Sequence, residues 1–311
     1  LCMKSKLVIL VTGSSGFAGE VLIPKLKKKE FEIIGLDWKK GKYTDLIQDI
    51  SKPFDIEKKI DVVIHLAARL EHDRCSKEEY YSGNVLGTEN VLKIAKKHQS
   101  YFIYVSTTAI YGSPTSPITE QTPIDPDGYY ALTKWEGEKI CQRFEKEGMA
   151  ISIVRPSVLI GKKRLGIFKI IFKNLVKNSR IPLLGDGKNK ISFVHIDDIT
   201  DFLVYLTQLK IKKLVVNFGG VVPGDLNYVI DELKKYTNSK SKILHVSLKW
   251  KPFLTVLAKL KFLPVTSWQL SVMHKDYFYE NKILFSTGYR YKNNPIGALK
   301  SMVDYYHNMI I

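Results

Sequence analysis

The chain has 311 residues, of which 45% are hydrophobic and 25% are charged. These proportions are typical of a globular protein with one large domain or two ordinary ones, and they exclude a collagen-like, low-complexity or disordered chain. The formal net charge is +17. Because the lysines are spread along the whole chain at helical polar positions, that charge favours a solvated surface and no nucleic-acid partner, with an anionic substrate or peripheral contact with an anionic membrane as the alternatives.

Cysteines and histidines argue against a disulfide framework and a metal site. Cys2, Cys75 and Cys141 are too few and too scattered, and the seven histidines have no metal-ligand spacing. Free thiols are typical of the cytoplasm, where we expect the protein to act. The apolar run LVILV near the start is only five residues long, too short for a signal peptide or a spanning helix.

Apolar strand-like runs alternate with helical patterns in the first half of the chain. Strands are predicted over 6–11, 31–36, 61–67, 101–106 and 150–155, and helices over 16–29, 76–98 and 129–147. This alternation predicts an α/β fold with a Rossmann-type, doubly wound parallel sheet covered by helices on both faces.

After residue 155 the alternation changes. Strands are predicted at 191–195 and 213–218, both returning to the sheet, with a helix at 197–209 between them. The sheet domain is therefore predicted to comprise 1–157 and about 191–218. A smaller mixed α/β part that binds substrate is predicted for 158–190 and about 219–311.

The segment TGSSGFAG follows the first predicted strand and opens the first predicted helix. Gly13 allows a sharp turn, Gly16 lets the backbone approach a pyrophosphate, and Gly19 lets the helix pack closely on the sheet. Ser15 and Phe17 belong to the same turn, where helix amides face phosphates. The segment predicts a dinucleotide-binding site.

Asp37 ends the second strand. A carboxylate there accepts hydrogen bonds from the adenosine ribose and repels a 2′-phosphate, so NAD is predicted rather than NADP. Lys39 and Lys40 weaken this choice, and the alternative interpretation of Asp37 is a turn residue.

Tyr130 and Lys134 are four residues apart on a predicted helix and share one face, whereas Tyr129 points elsewhere. An unperturbed tyrosine has a pKa of about 10, and a neighbouring ammonium group favours its phenolate. The spacing is common by chance. Combined with the dinucleotide turn and with VSTTAIYG at 105–112, it becomes a specific constellation.

These motifs resemble the extended short-chain dehydrogenases/reductases, the group that contains nucleotide-sugar epimerases and 3β-hydroxysteroid dehydrogenases. The resemblance covers essentially the whole chain and is strongest up to about residue 200. Its segments, in the family's order, are TGSSGFAG, HLAA (65–68), NVLGT (84–88), VSTTAIYG, YALTK (130–134), RPSVLIG (155–161) and FVHIDDI (193–199).

The resemblance implies roles for particular residues. Tyr130 is the general acid or base, Lys134 holds the nicotinamide ribose and lowers the tyrosine pKa, and Thr107 hydrogen-bonds the reacting oxygen. Asn84 is interpreted as structural, with a proton relay as the alternative. A homodimer through the helices around 76–98 and 129–147 is implied as well. The further cofactor contacts implied are Asp49, Ile50, Leu66, Ala67, Ala68 and Pro156.

Departures from the family pattern bear on the reaction and the substrate. Dehydratases carry carboxylates where this chain has Thr108 and Ala109, which disfavours a dehydratase. Val158 and Ile191 replace an asparagine and an arginine that are usual in nucleotide-sugar epimerases, and the apolar segment 248–272 suits an apolar pocket or a membrane surface.

The leading hypothesis is an NAD-dependent epimerase or oxidoreductase of a nucleotide sugar. The alternative is a dehydrogenase of an apolar alcohol, such as a sterol-like or lipid-linked substrate. A third hypothesis, a cofactor-binding regulator or a nucleic-acid binder that uses the positive charge, is disfavoured by the intact Thr107, Tyr130 and Lys134.

Overall fold

The computed structural model describes residues 6–73, 75–260, 262–263 and 265–310, apart from the side chain of His72. The strands are β1 (Val8–Thr12), β2 (Glu32–Asp37), β3 (Leu46–Ile47), β4 (Val62–His65), β5 (Tyr101–Val105), β6 (Ile151–Pro156), β7 (Val158–Ile160), β8 (Ile181–Leu184), β9 (Phe193–His195), β10 (Lys213–Phe218) and β11 (Ile243–Val246). The α-helices are α1 (Phe17–Lys28), α2 (Lys77–Tyr81), α3 (Gly87–His98), α4 (Tyr129–Lys146), α5 (Phe168–Val176), α6 (Ile196–Leu209), α7 (Leu226–Thr237), α8 (Lys251–Lys259), α9 (Ser267–Val272), α10 (Lys282–Ser286) and α11 (Pro295–Ile310).

Short helical turns complete these elements. A π-helical turn at Ser82–Leu86 joins α2 to α3, so the helix predicted over 76–98 is one helical run with a widened turn inside it. Short 3₁₀ turns lie at Glu71–Asp73, Thr108–Tyr111 and Leu248–Trp250.

Seven parallel strands form the main sheet, in the order β3-β2-β1-β4-β5-β6-β10. The chain builds outward from β1 in one direction and then, from β4 onward, in the other. This reversal opens a crevice at the carboxyl ends of β1 and β4, which is where open α/β sheets bind ligands. The predicted doubly wound parallel sheet is confirmed.

Helices cover both faces of this sheet. Every residue of β1 and of β4 is buried, as continuous apolar strands of a parallel sheet require. Helix α1 packs with α6, and α3 packs with α4. The sheet is therefore enclosed between helices, and the loops at its carboxyl edge hold the candidate site.

The contacts of the chain divide it into two compact units. The first contains the described residues up to Ile110 together with Ile124–Pro156 and Ile196–Phe218. The second contains Tyr111–Pro123, Ser157–His195 and the described residues from Gly219 onward. The segments 111–123 and 191–195 thus fall in the second unit, although the sequence placed them with the sheet domain.

The prediction that 191–195 returns to the main sheet is wrong. Its strand, β9, pairs with β7 in a separate two-stranded sheet. Phe193 accounts for this position, because its buried ring packs edge-on against Phe168 at 5.5 Å and its backbone pairs with Val221. The prediction for 213–218 is confirmed, since β10 occupies the edge of the main sheet beside β6.

The second unit combines small sheets with helices. A parallel pair, β8 and β11, forms its other sheet, and α5, α7 and α11 pack on one another. Helices α8 and α9 pack together around Leu184, Ala258 and Leu270. In the part of the chain that the structure describes, no helix combines the length and the apolar character needed to span a membrane.

Candidate active site

The residues that the sequence predicted for catalysis and cofactor binding lie in the first unit, and most follow the carboxyl ends of strands of the main sheet, whereas Val158 and Ile191 lie in the second unit. The glycine turn follows β1, Asp37 ends β2, Leu66–Ala68 follow β4, Thr107 follows β5, and Pro156 ends β6. The carboxyl ends of parallel strands meet at one edge of the sheet. The fold therefore brings these separate segments to one edge.

The glycines of the turn are required by close packing. Gly13 has a φ of +72°, and a Cβ atom there would lie 2.9 Å from the Ala67 nitrogen. A Cβ on Gly19 would lie 2.4 Å from the Gly13 oxygen. The amide of Gly16 donates to the Gly13 oxygen at 3.0 Å and closes the turn just before α1 begins at Phe17. The turn thus presents bare backbone and the start of a helix, which together suit a pyrophosphate.

Asp37 is tied to this turn. Its carboxylate accepts a hydrogen bond from the Ser15 amide at 2.9 Å. The Ser15 hydroxyl is 2.6 Å from that of Thr44, which braces the turn from the other side. The buried carboxylate at the end of β2 is therefore held beside the glycine turn, where the sequence predicts the cofactor.

The residues implied near the adenine differ in exposure. Asp49 is exposed, and its carboxylate accepts from both the amide and the hydroxyl of Ser51, which lowers its pKa. Ile50 is buried in the core of the first unit, and its carbonyl accepts from the Asn90 side chain at 2.9 Å. A Cβ atom on Gly87 would lie 2.9 Å from the Ile50 side chain, so that glycine lets α3 approach the loop.

The HLAA segment continues from β4 beside the glycine turn. The Leu66 amide donates to the Thr12 carbonyl, and the Ala67 amide donates to the Thr12 hydroxyl, both at 3.2 Å. Leu66, Ala67 and Ala68 are half-buried. The segment is thus fixed against the end of β1, beside the glycine turn.

Thr107 lies just after β5 and is half-buried. Its hydroxyl oxygen accepts from the Ala109 amide at 3.1 Å, an arrangement that leaves its proton to be donated. The neighbouring Thr108 is buried and donates to the carbonyl of Pro156 at 3.3 Å. The two threonines therefore differ in environment, since Thr108 is buried and bonded to the backbone whereas Thr107 is half-buried.

Tyr130 lies in the first turn of α4 and is half-buried, while Tyr129 beside it is 49% exposed. One helical turn later, Lys134 is 2% exposed. Burial lowers the pKa of Lys134 to about 8. The helix thus places an ammonium group that is still mainly charged at neutral pH on the same face as the proposed base.

Tyr104 is a contact of Lys134 that the sequence analysis missed. The Lys134 ammonium lies 4.1 Å from the centre of the buried Tyr104 ring, and the Tyr104 hydroxyl donates to the Lys134 carbonyl at 3.4 Å. A Cβ atom on Gly137 would lie 2.2 Å from the Tyr104 hydroxyl, so this glycine lets α4 approach β5. The aromatic run YFIYV gave no signal of this cation–π contact.

His65 is held neutral beneath this site. It is fully buried, and its burial and the nearby Lys134 lower its pKa to about 3. Its Nδ1 is 2.6 Å from the Thr12 hydroxyl and its Nε2 is 3.1 Å from that of Thr88. Because Thr88 donates its own proton to the Asn84 carbonyl at 2.6 Å, it accepts from Nε2–H. Nδ1 then accepts from Thr12, which fixes both the tautomer and the end of β1.

A buried ion pair continues the same face of α4. Glu138, four residues after Lys134, accepts from Arg155 through Nε at 3.0 Å and through a second guanidinium nitrogen at 2.6 Å. Their side chains are 0% and 5% exposed. The bidentate geometry ties α4 to β6. The four-residue spacing of Tyr130, Lys134 and Glu138 would have placed Glu138 on this face, but no sequence signal indicated Arg155 as its partner.

The environment of Asn84 fits the structural interpretation. Its oxygen accepts from the Arg69 amide at 2.7 Å, and its side-chain nitrogen donates to the Arg69 carbonyl and to the Thr133 hydroxyl. These contacts tie the loop after β4 to α4 through the π-helical turn.

The residues at this edge of the sheet fit a dinucleotide. Gly13 and Gly19 leave space that a Cβ atom would fill, and Asp37 offers a carboxylate beside the turn. The Ser106 hydroxyl is buried at the end of β5 and has no partner among the described residues, so it is able to bond to a ligand. Nicotinamide chemistry needs a binding site of this kind for the dinucleotide, together with side chains that donate and accept a proton.

Comparison with known proteins identifies relatives. A family model described as "NAD dependent epimerase/dehydratase family" matches residues 9–219. An uncharacterized protein of Sinorhizobium fredii is 28% identical over 251 residues, a match that covers 77% of this chain but only 63% of the relative. A putative UDP-glucose 4-epimerase of Methanocaldococcus jannaschii is 29% identical over 250 residues, covering 73% of this chain and 81% of the relative.

Another relative acts, by its name, on a lipid-linked sugar. The N-acetyl-alpha-D-glucosaminyl-diphospho-ditrans,octacis-undecaprenol 4-epimerase of Escherichia coli O157:H7 is 26% identical over 249 residues, covering 76% of this chain and 75% of the relative. Among solved structures, the UDP-glucuronic acid 4-epimerase from Bacillus cereus in complex with NAD matches with a TM-score of 0.75 at 21% identity, over 97% of each chain. That likeness shows a shared fold.

Proposed function

The chain belongs to the NAD-dependent epimerase/dehydratase family, and on this basis we propose that it is an NAD-dependent epimerase or oxidoreductase of a nucleotide sugar. The observation that carries the proposal is the placement of Tyr130 one helical turn before the buried Lys134, with Thr107 at the end of β5. These side chains supply proton transfer to a secondary alcohol beside the cofactor turn.

Each of the three residues has a distinct task. The phenolate of Tyr130 accepts the proton of the sugar hydroxyl, and Thr107 donates a hydrogen bond to the same oxygen. The Lys134 ammonium favours that phenolate. When bound, NAD would supply the hydride acceptor for the carbinol carbon and, once reduced, the hydride donor for the keto carbon. An epimerase lets the keto sugar turn before the carbon is reduced, and a reductase releases its product.

NAD, rather than NADP, is proposed from Asp37. Its carboxylate is held beside the turn by the Ser15 amide, where a 2′-phosphate would meet negative charge. Gly13, Gly16 and Gly19 would hold the pyrophosphate, with Ser15 and Phe17 in the same turn. The remaining proposed contacts are Asp49, Ile50, Leu66, Ala67, Ala68 and Pro156.

Dehydration is the disfavoured reaction for this site. A sugar dehydratase needs an acid or base near the carbon that loses water. The turn Thr108–Tyr111 holds no carboxylate, and Thr108 is buried with its hydroxyl bonded to the Pro156 carbonyl. The family description itself covers both reactions, so this preference rests on the turn.

A homodimer in the cytoplasm is the proposed working form. Tyr81, Leu86, Tyr129 and Leu132 are large apolar side chains exposed on the helices of 76–98 and on α4. Exposed apolar patches of this kind mark protein interfaces. Among the described residues Cys75 and Cys141 are free thiols, while Cys2 lies outside the described residues, and free thiols are compatible with a reducing compartment.

A lipid-linked or sterol-like alcohol is the second candidate substrate. Val158 and Ile191 are apolar where the resemblance leads one to expect polar groups, and the segment around α8 exposes several large apolar side chains. The name of the Escherichia coli relative points in the same direction, because that enzyme acts on an undecaprenol-linked sugar.

A thermal-shift panel separates these candidates. The NAD-loaded protein is heated with UDP-, dTDP- and GDP-linked hexoses, with an isoprenoid diphosphate sugar and with sterols. The proposal expects a rise in Tm with at least one nucleotide sugar and none with sterols. Stabilisation by no nucleotide sugar, together with stabilisation by a sterol or an isoprenoid sugar, would instead assign the second substrate class.

A further inference from the structure

Large apolar side chains form an exposed stripe around α8 in the second unit. We call this stripe with its flanking lysines the α8 surface. Trp250 is 58% exposed, Phe253 is 55% exposed and Phe262 is 75% exposed. The complete stripe consists of Leu248, Trp250, Phe253, Val256, Leu260 and Phe262, and the exposed flanking lysines are Lys249 and Lys259.

The stripe is not needed to hold α8 in place. The opposite side of the helix supplies the buried Ala258 and the half-buried Leu254, which pack with Leu184 and Leu270. The exposed residues recur at about every third position, as one side of a helix does. Trp250 and Phe253 also contact each other edge-on, with ring centres 6.1 Å apart, and so present one aromatic wedge. The helix is thus apolar on two sides, of which one is unpartnered among the described residues.

Charge decides which partner suits this surface. The segment from Leu233 to Lys275 contains nine lysines and no aspartate or glutamate. A segment that combines exposed aromatic and aliphatic side chains with lysines, and whose sequence contains no acidic residue, is complementary to the negative headgroups and apolar boundary of a bilayer. Trp and Phe suit that boundary because their rings enter the acyl region while the lysines stay at the phosphates.

We propose that the α8 surface docks the protein on an anionic lipid membrane. Trp250, Phe253, Leu260 and Phe262 insert at the headgroup–acyl boundary, and Lys249 and Lys259 contact lipid phosphates. This role is independent of the proposed function, because vesicle binding needs neither cofactor nor substrate.

Co-sedimentation with vesicles tests the proposal. The full chain is mixed with phosphatidylcholine vesicles that either contain phosphatidylglycerol or lack it. We expect binding to the anionic vesicles that falls as salt rises, since surface charge is screened. The double variant Trp250→Ser and Phe253→Ser should bind at least about tenfold more weakly. The matched control, Tyr228→Ser, removes an aromatic side chain of similar exposure on α7 and should bind like the wild type.

A charge variant separates local from overall electrostatics. Lys249→Glu with Lys259→Glu should abolish binding to anionic vesicles. Lys28→Glu with Lys29→Glu, on the first unit, changes the net charge by the same amount and should keep most of the vesicle binding. Equal losses in the two variants would overturn the proposal in favour of an unspecific charge effect.

Fluorescence shows whether the wedge inserts. The tryptophans are Trp38, Trp135, Trp250 and Trp268. Anionic vesicles should shift the wild-type emission to shorter wavelength, and Trp250→Phe should remove that shift while retaining binding. No shift, or an unchanged shift in Trp250→Phe, overturns insertion. The proposal is overturned if the wild type does not bind anionic vesicles. If, in addition, the Trp250→Ser, Phe253→Ser variant sediments with a lower mass than the wild type, the α8 surface is a contact between copies of the chain.

Discussion

Lys134 illustrates, at the scale of a single residue, how the proposed chemistry opposes stability. The ammonium group is almost fully buried, and burial lowers its pKa from the ordinary 10.5 to about 8. The cation–π contact with Tyr104 offsets only part of that cost. The same ammonium group that destabilises the folded chain would stabilise the proposed phenolate of Tyr130. Perturbed pKa values of this kind are common at functional sites.

The first prediction concerns this cost. Lys134→Met should raise the free energy of unfolding of the cofactor-free protein by about 3 kcal/mol below pH 8, where the folded wild type carries a buried charge. Between pH 8 and 10.5 the folded wild type loses its proton before the unfolded chain does, so wild-type stability rises and the difference disappears. Urea unfolding of the wild type and of Lys134→Met across this pH range measures the difference in their free energies of unfolding. Lys139→Met, at an exposed position on the same helix, should show no such pH dependence, and the same profile in both variants would contradict the assignment.

Asp37 gives a prediction about the cofactor. Asp37→Asn keeps an oxygen to accept from the Ser15 amide but removes the charge that repels a 2′-phosphate. The ratio of NAD affinity to NADP affinity, measured by titration, should fall at least about tenfold. Asp45→Asn, whose carboxylate accepts from the Gly35 amide in the same region, is the control and should leave the ratio unchanged. An unaltered ratio in Asp37→Asn would remove Asp37 from the cofactor site.

At the scale of elements, the sequence predicted most of the sheet because buried parallel strands are continuous apolar runs. KLVILV, DVVIHLA and YFIYVS became β1, β4 and β5. The short run ISFVH carries no information about its partner, so its pairing with β7 depends on tertiary contacts of Phe193. Motif spacing indicated Tyr130 and Lys134, whereas the contacts of His65 and Tyr104 exist only after β1, β4, β5 and α4 have packed.

The glycine turn gives the prediction that belongs to this scale. Gly13→Ala should abolish measurable NAD binding, because its Cβ would strike the Ala67 backbone in a left-handed conformation. Gly148→Ala also lies at a positive φ, but nothing lies within 4 Å of its Cβ. It should lose stability by about 1 kcal/mol while binding NAD normally. Calorimetric titration measures NAD binding by both variants. Normal NAD binding by folded Gly13→Ala would contradict the proposed site.

At the scale of the whole molecule, surfaces on the two units are proposed for different tasks. The first unit carries the candidate site and exposed apolar side chains on α4 and on the helical run that contains α3, while the second carries the α8 surface. The net charge of +17 allowed contact with an anionic membrane but did not locate it on the molecule, because the lysines are distributed over the entire chain.

The proposed dimer can be tested through the first of these surfaces. Leu86→Glu with Leu132→Glu places charges at two exposed apolar positions and should reduce the sedimenting mass from a dimer to a monomer. Leu209→Glu, equally exposed on α6, should leave the mass unchanged. A wild type that sediments as a monomer, or a dimer that survives the double substitution, would contradict this interface.

The most direct test of the central claim is turnover of a nucleotide-sugar panel by three forms of the protein, followed by chromatography and mass spectrometry. The wild type, Tyr129→Phe and Tyr130→Phe are first matched for NAD binding. The wild type and Tyr129→Phe are expected to convert at least one UDP-, dTDP- or GDP-linked hexose. Tyr130→Phe should be slower by roughly 10²- to 10⁴-fold, the usual contribution of a general acid or base. Turnover by Tyr130→Phe at the wild-type rate would contradict the account.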